Sequence, residues 1–574
     1  MLKGAKVIVF GASVDGMAAC SLLSADNEIL YICDNDESKW GTFIGEYKVV
    51  SPGKILDNKD ATIVIAVAKR YNEVAIQLHD IGICNLWHFA EYINLISGEK
   101  EYRLRLLPCN VQRHDHGSLI KIHEKENNTN LTHSKRVLIC ANLFPPVAGG
   151  GVQRPLKFAK YLKKFGYEPI VVTKGNCEPK LSRDYSLLNE VDGVSVIRIQ
   201  EKDRHPEEMD SGEISILSDL FYSIGLDDKW LDKYFSILND KWELLPDNDV
   251  VWVLDCIKEI EEAVDLRTIS IVFTTIAPYS TALLGAYLKL RYGLKWVLDY
   301  RDPWCLNDYN MKRFYSYRME RRSFERELEI ALLNHTDHVV ATSEVYCDEF
   351  IKACDGVRTI CITNGYDETD FQHINSELTH RDAFRILFNG TVYKDFDICF
   401  IIKIINELIA DEEIDKNKIR LEFNGSTPFL DASVNKTDIY KIVEYNGYLR
   451  HEESIKKMYE SSILLVFGSY GDGAYSGYTG KLFEYLRTGI PILSISSPYG
   501  VHYEMVEEHH HGITATIEDS EKIKNFVCEV FRRWQNNGTV KLYQPDEYVK
   551  SFSREHLCKR LADVFDEVLD TYRK

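Results

Sequence analysis

The 574-residue sequence contains no apolar run approaching the ~18 residues needed to span a bilayer. Its opening, MLKGAKVIVFGAS, has a short apolar stretch that leads directly into a strand and a glycine turn, which makes a poor signal peptide. The 14 cysteines include no CxxC pair and build no dense framework, so they read as reduced core thiols of a cytosolic protein and structural zinc is not expected. Positive charge is also scarce. With 69 Lys and Arg against 88 Asp and Glu, the net charge is −19, the opposite of a nucleic-acid-binding footprint. Hydrophobic residues at 45% and charged residues at 27% exclude a disordered chain, a collagen and a coiled-coil rod. The length suits about three to five domains.

Three strand–glycine-turn–helix openings organise what is present. The first, KVIVFGASVDGMAACSLL, is followed by strands at Glu28–Cys33 and Ala61–Ala66 and a helix around 71–82, which predicts a small parallel α/β domain over residues 1–98. Residues 99–134, with the polar stretch HEKENNTNLTHSK, read as a linker. The second opening begins at Arg136 and passes through LFPPVAGGG into a helix. Strands at Pro169–Thr173, Val194–Ile199, Ser270–Thr275, Lys295–Asp299 and His338–Ala341 then predict a larger α/β domain over 135–375. The third begins at Phe384 and predicts an α/β domain over 376–552, with a terminal amphipathic helix over 553–574.

The strongest motif is the loop GSYGDGAYSGYTG feeding the helix KLFEYLRTG. Free amides at Thr479, Gly480 and Lys481, together with the helix dipole, favour a phosphate. Lys481 suits a diphosphate, and Glu484, on the same helix face, suits ribose hydroxyls; the alternative is a surface ion pair. In PPVAGGGVQRPLKFAKYLKKFG, the glycines 149–151 allow a ligand close to the backbone. Arg154, Lys157, Lys160, Lys163 and Lys164 follow without an acidic residue, either as a surface for phosphates or anionic lipid or as a solvated face. Asp299, Arg301 and Asp302 cluster after a buried strand, where parallel α/β sheets place their sites, unless they satisfy one another. Gly11, Ser13 and Gly16 form a dinucleotide-like fingerprint with its middle glycine replaced, and Asp34 ends the next strand where a ribose carboxylate belongs. The basic, aromatic stretch around residue 311 reads as a solvated helix, and His509–His511 as a turn rather than a metal site.

Residues 135–574 resemble a family-4-type retaining glycosyltransferase of the GT-B fold, of the kind that builds bacterial surface polysaccharides. The resemblance is carried, in family order, by FPPVAGGGVQRPLKFAKYL, TTIAPYSTALLGAYL, WVLDYRDPW, ATSEVYCDEF, ITNGYDETDF, ILFNGTVYK, YNGYLRHEESIKKMY and YTGKLFEYLRTGIPIL. Residues 1–98 resemble the small Rossmann-like domain that precedes sugar-modifying enzymes of such pathways. The resemblance implies two Rossmann-like domains facing across a cleft, the first for a glycan or lipid-linked acceptor and the second for a UDP- or GDP-sugar, with no cofactor or metal required. It places Glu484 on the donor ribose and Thr479–Lys481, Gly390 and Lys394 at the diphosphate. Gly150, Gly151 and Arg154 would approach from the other domain, and Asp299, Arg301 and Asp302 would line the acceptor side. It also implies a cytosolic enzyme, peripheral on the inner membrane face. One departure stands out: Ser476 occupies the position eight before Glu484, where the family carries a sugar-contacting Glu. The rival readings are a nicotinamide-dependent sugar-nucleotide oxidoreductase or epimerase acting through the first domain, and a non-catalytic nucleotide-sugar-binding scaffold.

Overall fold

A computed structural model describes residues 4–66 without 13 and 25, positions 74, 77–78, 83 and 86–88, and then 135–175, 183–202, 209–241, 245–305, 319–372, 382–392, 398–425, 442–537, 540 and 545–570. The chain divides into two compact units. One comprises 1–117, 204–248 and 303–332; the other comprises 118–203, 249–302 and 333–574.

In the first unit, β1 (Lys6–Phe10), β2 (Glu28–Cys33), β3 (Phe43–Ile44), β4 (Tyr47–Val50), β5 (Thr62–Ile65) and β6 (Leu86–His88) form one sheet in the order β3-β4-β2-β1-β5-β6. All pairs are parallel except the β3–β4 hairpin. The β-branched runs of β1 and β5 are buried between two apolar layers, one holding Ile8, Phe10 and Ile63 and the other Val7, Val9 and Val64. The same unit holds the helices Ser211–Ser223 and Asp228–Lys241. The first starts with a capping box between Asp210 and Glu213, and Trp230 of the second stacks on Phe324 at 4.1 Å.

The second unit contains two parallel sheets. β7 (Lys135–Cys140), β8 (Tyr167–Lys174), β9 (Ser195–Ile199), β10 (Ile269–Ile276), β11 (Lys295–Tyr300), β12 (His338–Ala341) and β13 (Thr359–Cys361) are ordered β13-β12-β11-β10-β7-β8-β9. β14 (Phe384–Asn389), β15 (Ile419–Asn424), β16 (Val443–Gly447), β17 (Ile463–Phe467), β18 (Ile492–Ile495) and β19 (Gly512–Ala515) are ordered β16-β15-β14-β17-β18-β19. Every residue of β17 and β18 is buried, as a parallel strand covered on both faces requires. The terminal helix Arg554–Asp570 returns to the sheet built on β7. There Leu557, Leu561 and Phe565 join Val137, Ile139 and Phe273 in one core. The segment entering that helix runs beside residues 364–367: Tyr366 donates its amide to Phe552 O, and Arg554 donates to Tyr366 O. A Cβ on Gly365 would lie 2.0 Å from Phe552 O, so only glycine lets the segment pass. Two Rossmann-like sheets with a terminal helix returned to the first make the GT-B architecture. No helix among the described residues is long and apolar enough to cross a membrane.

Candidate active site

The carboxyl ends of the strands in the second unit carry most of the predicted residues, as the topology of parallel sheets dictates. After β17 the chain forms the glycine-rich loop and enters the helix Gly480–Thr488. Thr479 is its N-cap, yet its side chain caps nothing, and its buried Oγ1 has no hydrogen-bond partner. The first amides of the helix therefore keep their dipole undischarged. Lys481 Nζ lies 4.1 Å above the Phe388 ring and close against Gly390, where a Cβ would approach it to 2.6 Å. Gly390 holds φ at +126°, a conformation that also favours glycine. Among the described residues no carboxylate lies within 4.0 Å of Lys481. Burial pulls its ammonium down to about 8, with the Glu484 charge opposing. An unmatched cation beside uncapped helix amides is an arrangement that favours an anion.

Glu484, one turn on, is half-buried, and burial raises its carboxyl above the ordinary range, with His451 opposing. His451 opens the helix His451–Tyr459. Its Nε2 lies 3.7 Å from Glu484 Oε1 and 3.1 Å from Asp370 Oδ2. Burial disfavours its charge, but Glu484 and Asp370 outweigh that and push it up to about 9. Neither His451 nor Asp370 was singled out in the sequence, although both lie within stretches that carry the family resemblance.

On the facing sheet, Arg154 and Asp299 are both fully buried and hold each other. Arg154 Nε lies 3.0 Å from both Asp299 oxygens, Nη2 donates to Oδ1 at 2.7 Å, and Nη1 donates to Thr363 O at 2.8 Å. Thr275 Oγ1 donates to Asp299 Oδ2. These two charges are spent on one another, a pairing the sequence pattern does not offer, since there Asp299 is matched with Arg301 and Asp302. Arg301 donates to Gly151 O and Ala277 O, both at 2.6 Å, and its Nε to Asp302 at 3.1 Å. It thereby ties the end of β11 to the glycine turn after β7. A Cβ on Gly151 would meet the Arg301 guanidinium at 2.8 Å, whereas Gly150 is exposed with nothing within 4 Å. Asp302 is exposed.

The lysines of the helix Gly150–Tyr161 do not form a free cationic face. Lys157 is 2% exposed and contacts Glu190, Asp367 and Asp370, while Lys160 bridges Glu190 and Asp367. Beyond the helix end, Lys164 pairs with Glu555. The oxygens of Glu190, Asp367 and Asp370 converge within 4.8 Å of one another as a metal's ligands would, but both Lys157 and Lys160 are already bound to them.

A further histidine underlies the glycine-rich loop. His502 is 3% exposed; its Nδ1 lies 2.8 Å from Ser494 Oγ, which lies 3.0 Å from Ser496 Oγ. Burial pushes His502 down to about 4, with a Gly477 backbone group opposing and Lys481 adding to it, so the ring is neutral at pH 7. Ser476 is 5% exposed in the same loop.

In the first unit, Gly11 has φ +122°, and a Cβ on Gly16 would lie 1.9 Å from Gly11 O, so the turn needs both glycines. Asp34 accepts from the Ala12 amide at 2.7 Å and the Asp36 amide at 2.8 Å, and pairs with Lys39 at 3.2 Å. Ser13 and Lys394 lie outside the described residues. His509–His511 form the expected turn, with His510 at φ +60° and His509 stacked on Tyr548. Of the basic stretch around residue 311, positions 306–318 lie outside the described residues, and the helix Met319–His335 follows.

Comparison with known proteins assigns parts of the chain. Residues 3–86 match the family C2185-like, N-terminal. No curated protein matches the chain in sequence. Among solved structures, sucrose-phosphate synthase from Thermosynechococcus elongatus is similar at 13% identity and TM-score 0.46, over 76% of this chain and 100% of that one. The Anabaena protein HepE, solved with UDP and glucose, is similar at 14% identity and TM-score 0.46, over 76% and 100%. A glycosyltransferase from Rickettsia africae is similar at 14% identity and TM-score 0.46, over 76% and 99%. Residues 383–533, which hold Gly390, Lys481 and Glu484, match the family Glycosyl transferases group 1.

Proposed function

We propose that the chain is a glycosyltransferase that moves a sugar from a UDP- or GDP-sugar to a glycan or lipid-linked acceptor in bacterial surface-polysaccharide synthesis, with retention of anomeric configuration. The observation that carries this reading is Lys481: a half-buried cation without a carboxylate partner among the described residues, set against Gly390 at an uncapped helix start inside the segment that matches the glycosyltransferase family. In the reaction, the bond from the anomeric carbon to the diphosphate breaks as the acceptor hydroxyl bonds to that carbon and passes its proton to the departing phosphate oxygen. Negative charge gathers on the leaving diphosphate. Lys481, the amides of Thr479–Lys481 and Lys394 stabilise it there, so in this reading no metal is needed.

Glu484 binds the ribose hydroxyls. Gly150 and Gly151 approach the donor from the facing domain, and the Arg154–Asp299 pair and Arg301 fix that edge. Asp302, the exposed member of its cluster, faces the acceptor. The division into residues 135–375 for acceptor and 376–552 for donor, action at the inner membrane face, and a non-redox ligand or docking role for 1–98 belong to the same proposal.

The test is thermal shift across a panel of nucleotide-sugars. A true donor at about 100-fold excess over its Kd stabilises by roughly 2.7 kcal/mol. If no nucleotide-sugar shifts the melting temperature, the donor assignment falls.

A further inference from the structure

His451 does not act alone. Two carboxylates on different elements approach its Nε2: Asp370, on the segment that follows β13, at hydrogen-bond distance, and Glu484, on the helix Gly480–Thr488, at 3.7 Å. Asp370 in turn lies 3.5 Å from Lys157 on the helix Gly150–Tyr161. The neighbouring Asp367 is fixed by Lys157, Lys160 and the Tyr161 hydroxyl at 2.8, 2.7 and 2.5 Å. The brace behind His451 is thus anchored in the other domain. Glu484 itself accepts no hydrogen bond among the described residues, and His451 is the one basic group among them within 4.0 Å of it. The more distant charges that bear on this pair are Lys481 one turn earlier, Lys157, and Arg554, which burial and the nearby Arg154 pull down to about 10.

We propose that His451 is a positioning residue for donor recognition: as an imidazolium braced by Asp370, it holds Glu484 ionised and turned toward the donor ribose. The proposal rests on Glu484 being the ribose-binding carboxylate. An uncompensated carboxylate in a half-buried place tends to take up a proton or turn outward. With a positive ring near Oε1 it keeps its charge, and the remaining lone pairs stay open to the vicinal hydroxyls. The upward displacement of His451 to about 9 agrees with a ring that is charged at pH 7. A neutral amide in its place would keep the volume without the charge.

The experiment measures how well the full-length protein discriminates a ribonucleotide from its 2′-deoxy counterpart. UDP, GDP, dUDP and dGDP are titrated calorimetrically into the wild-type protein and the His451→Gln, Asp370→Asn and Glu484→Gln variants at pH 7.5. The ratio of Kd values cancels effects on the base and the diphosphate, and it is insensitive to a merely structural loss, which would weaken both nucleotides alike. The wild type is expected to prefer the ribonucleotide about tenfold, the worth of one hydrogen bond to a charged group. His451→Gln should reduce that preference to threefold or less while changing the 2′-deoxy affinity less than twofold. Asp370→Asn should fall between them and give a second reading should the histidine variant fold poorly. If Glu484→Gln abolishes the preference and both other variants keep it in full, His451 has no positioning role. If Glu484→Gln itself leaves the preference intact, the ribose assignment of Glu484 fails, and this proposal with it.

Discussion

Asp34 and Glu484 are the two carboxylates that a strand-and-glycine-turn pattern offers to a ribose, and the structure surrounds them in opposite ways. Asp34 is consumed by its own loop, through the amides of Ala12 and Asp36 and the ammonium of Lys39. Glu484 accepts no hydrogen bond among the described residues, and its nearest cation is the His451 ring at 3.7 Å. The cations repeat the contrast: Lys39 sits on Asp34, whereas Lys481 sits on an aromatic face. A polar group satisfied by its own loop holds that loop in shape. A buried polar group left with open valences carries a desolvation cost that a ligand can relieve.

The largest effect should come from removing the unmatched cation. Lys481→Ala is expected to lower donor turnover about 10²–10³-fold, the scale seen when one stabiliser of developing negative charge is lost. Asp34→Asn should leave it unchanged. Steady-state rates of transfer, or of donor hydrolysis, check both. Equal losses in the two variants would break the contrast between the turns.

How much of this was legible beforehand differs between the fold and the site. β2 and β12 were readable to the residue because each is built around a run of apolar or β-branched residues. β13 and β19 were missed: each has only three or four residues, with Thr or Gly among them, too little for a period to show. Segments 204–248 and 303–332 read as part of the second domain by continuity of sequence; in the structure they are grouped with residues 1–117 in one compact unit. In the site, Lys481 and Gly390 were readable because both follow strand ends. Arg154 and Asp299, 145 positions apart, each read as a separate functional candidate, and nothing in a linear pattern reveals that two opposite charges will neutralise one another in the interior. His451 was invisible for a related reason: its partners come from two distant segments.

A second way to sharpen the contrast uses acid. The glycine-rich loop lies over His502, which burial keeps neutral with its titration pushed down to about 4. The turn at Gly11 is built instead from a glycine–glycine contact and backbone bonds. Because the folded-state value lies below the ordinary 6.5, the unfolded chain binds the proton first as pH falls. The stability that the neutral ring contributes is therefore full above pH 6.5 and is lost as pH falls toward 4, by about 3 kcal/mol for that displacement. Urea unfolding of wild type and His502→Gln between pH 4 and 7 should show a shallower acid loss in the variant. Identical pH profiles would remove His502 from the account of the loop.

The smallest effects separate a glycine needed for folding from a glycine needed for a ligand. In Gly16→Ala the new methyl would meet Gly11 O at 1.9 Å, so the backbone must yield, at about 1–3 kcal/mol of overpacking. In Gly480→Ala the methyl meets nothing within 4 Å, and alanine suits a helix better than glycine by up to about 1 kcal/mol. Melting temperature should therefore fall in the first variant and hold or rise slightly in the second. Nucleotide affinity should run the other way: Gly16→Ala leaves the UDP or GDP affinity as it was, while Gly480→Ala weakens it, because the methyl stands where a diphosphate must approach the uncapped amides. A stabilised Gly480→Ala protein with undiminished nucleotide affinity would mean that those amides are not the seat of the diphosphate. The open valences at Thr479 and Lys481 would then need another occupant.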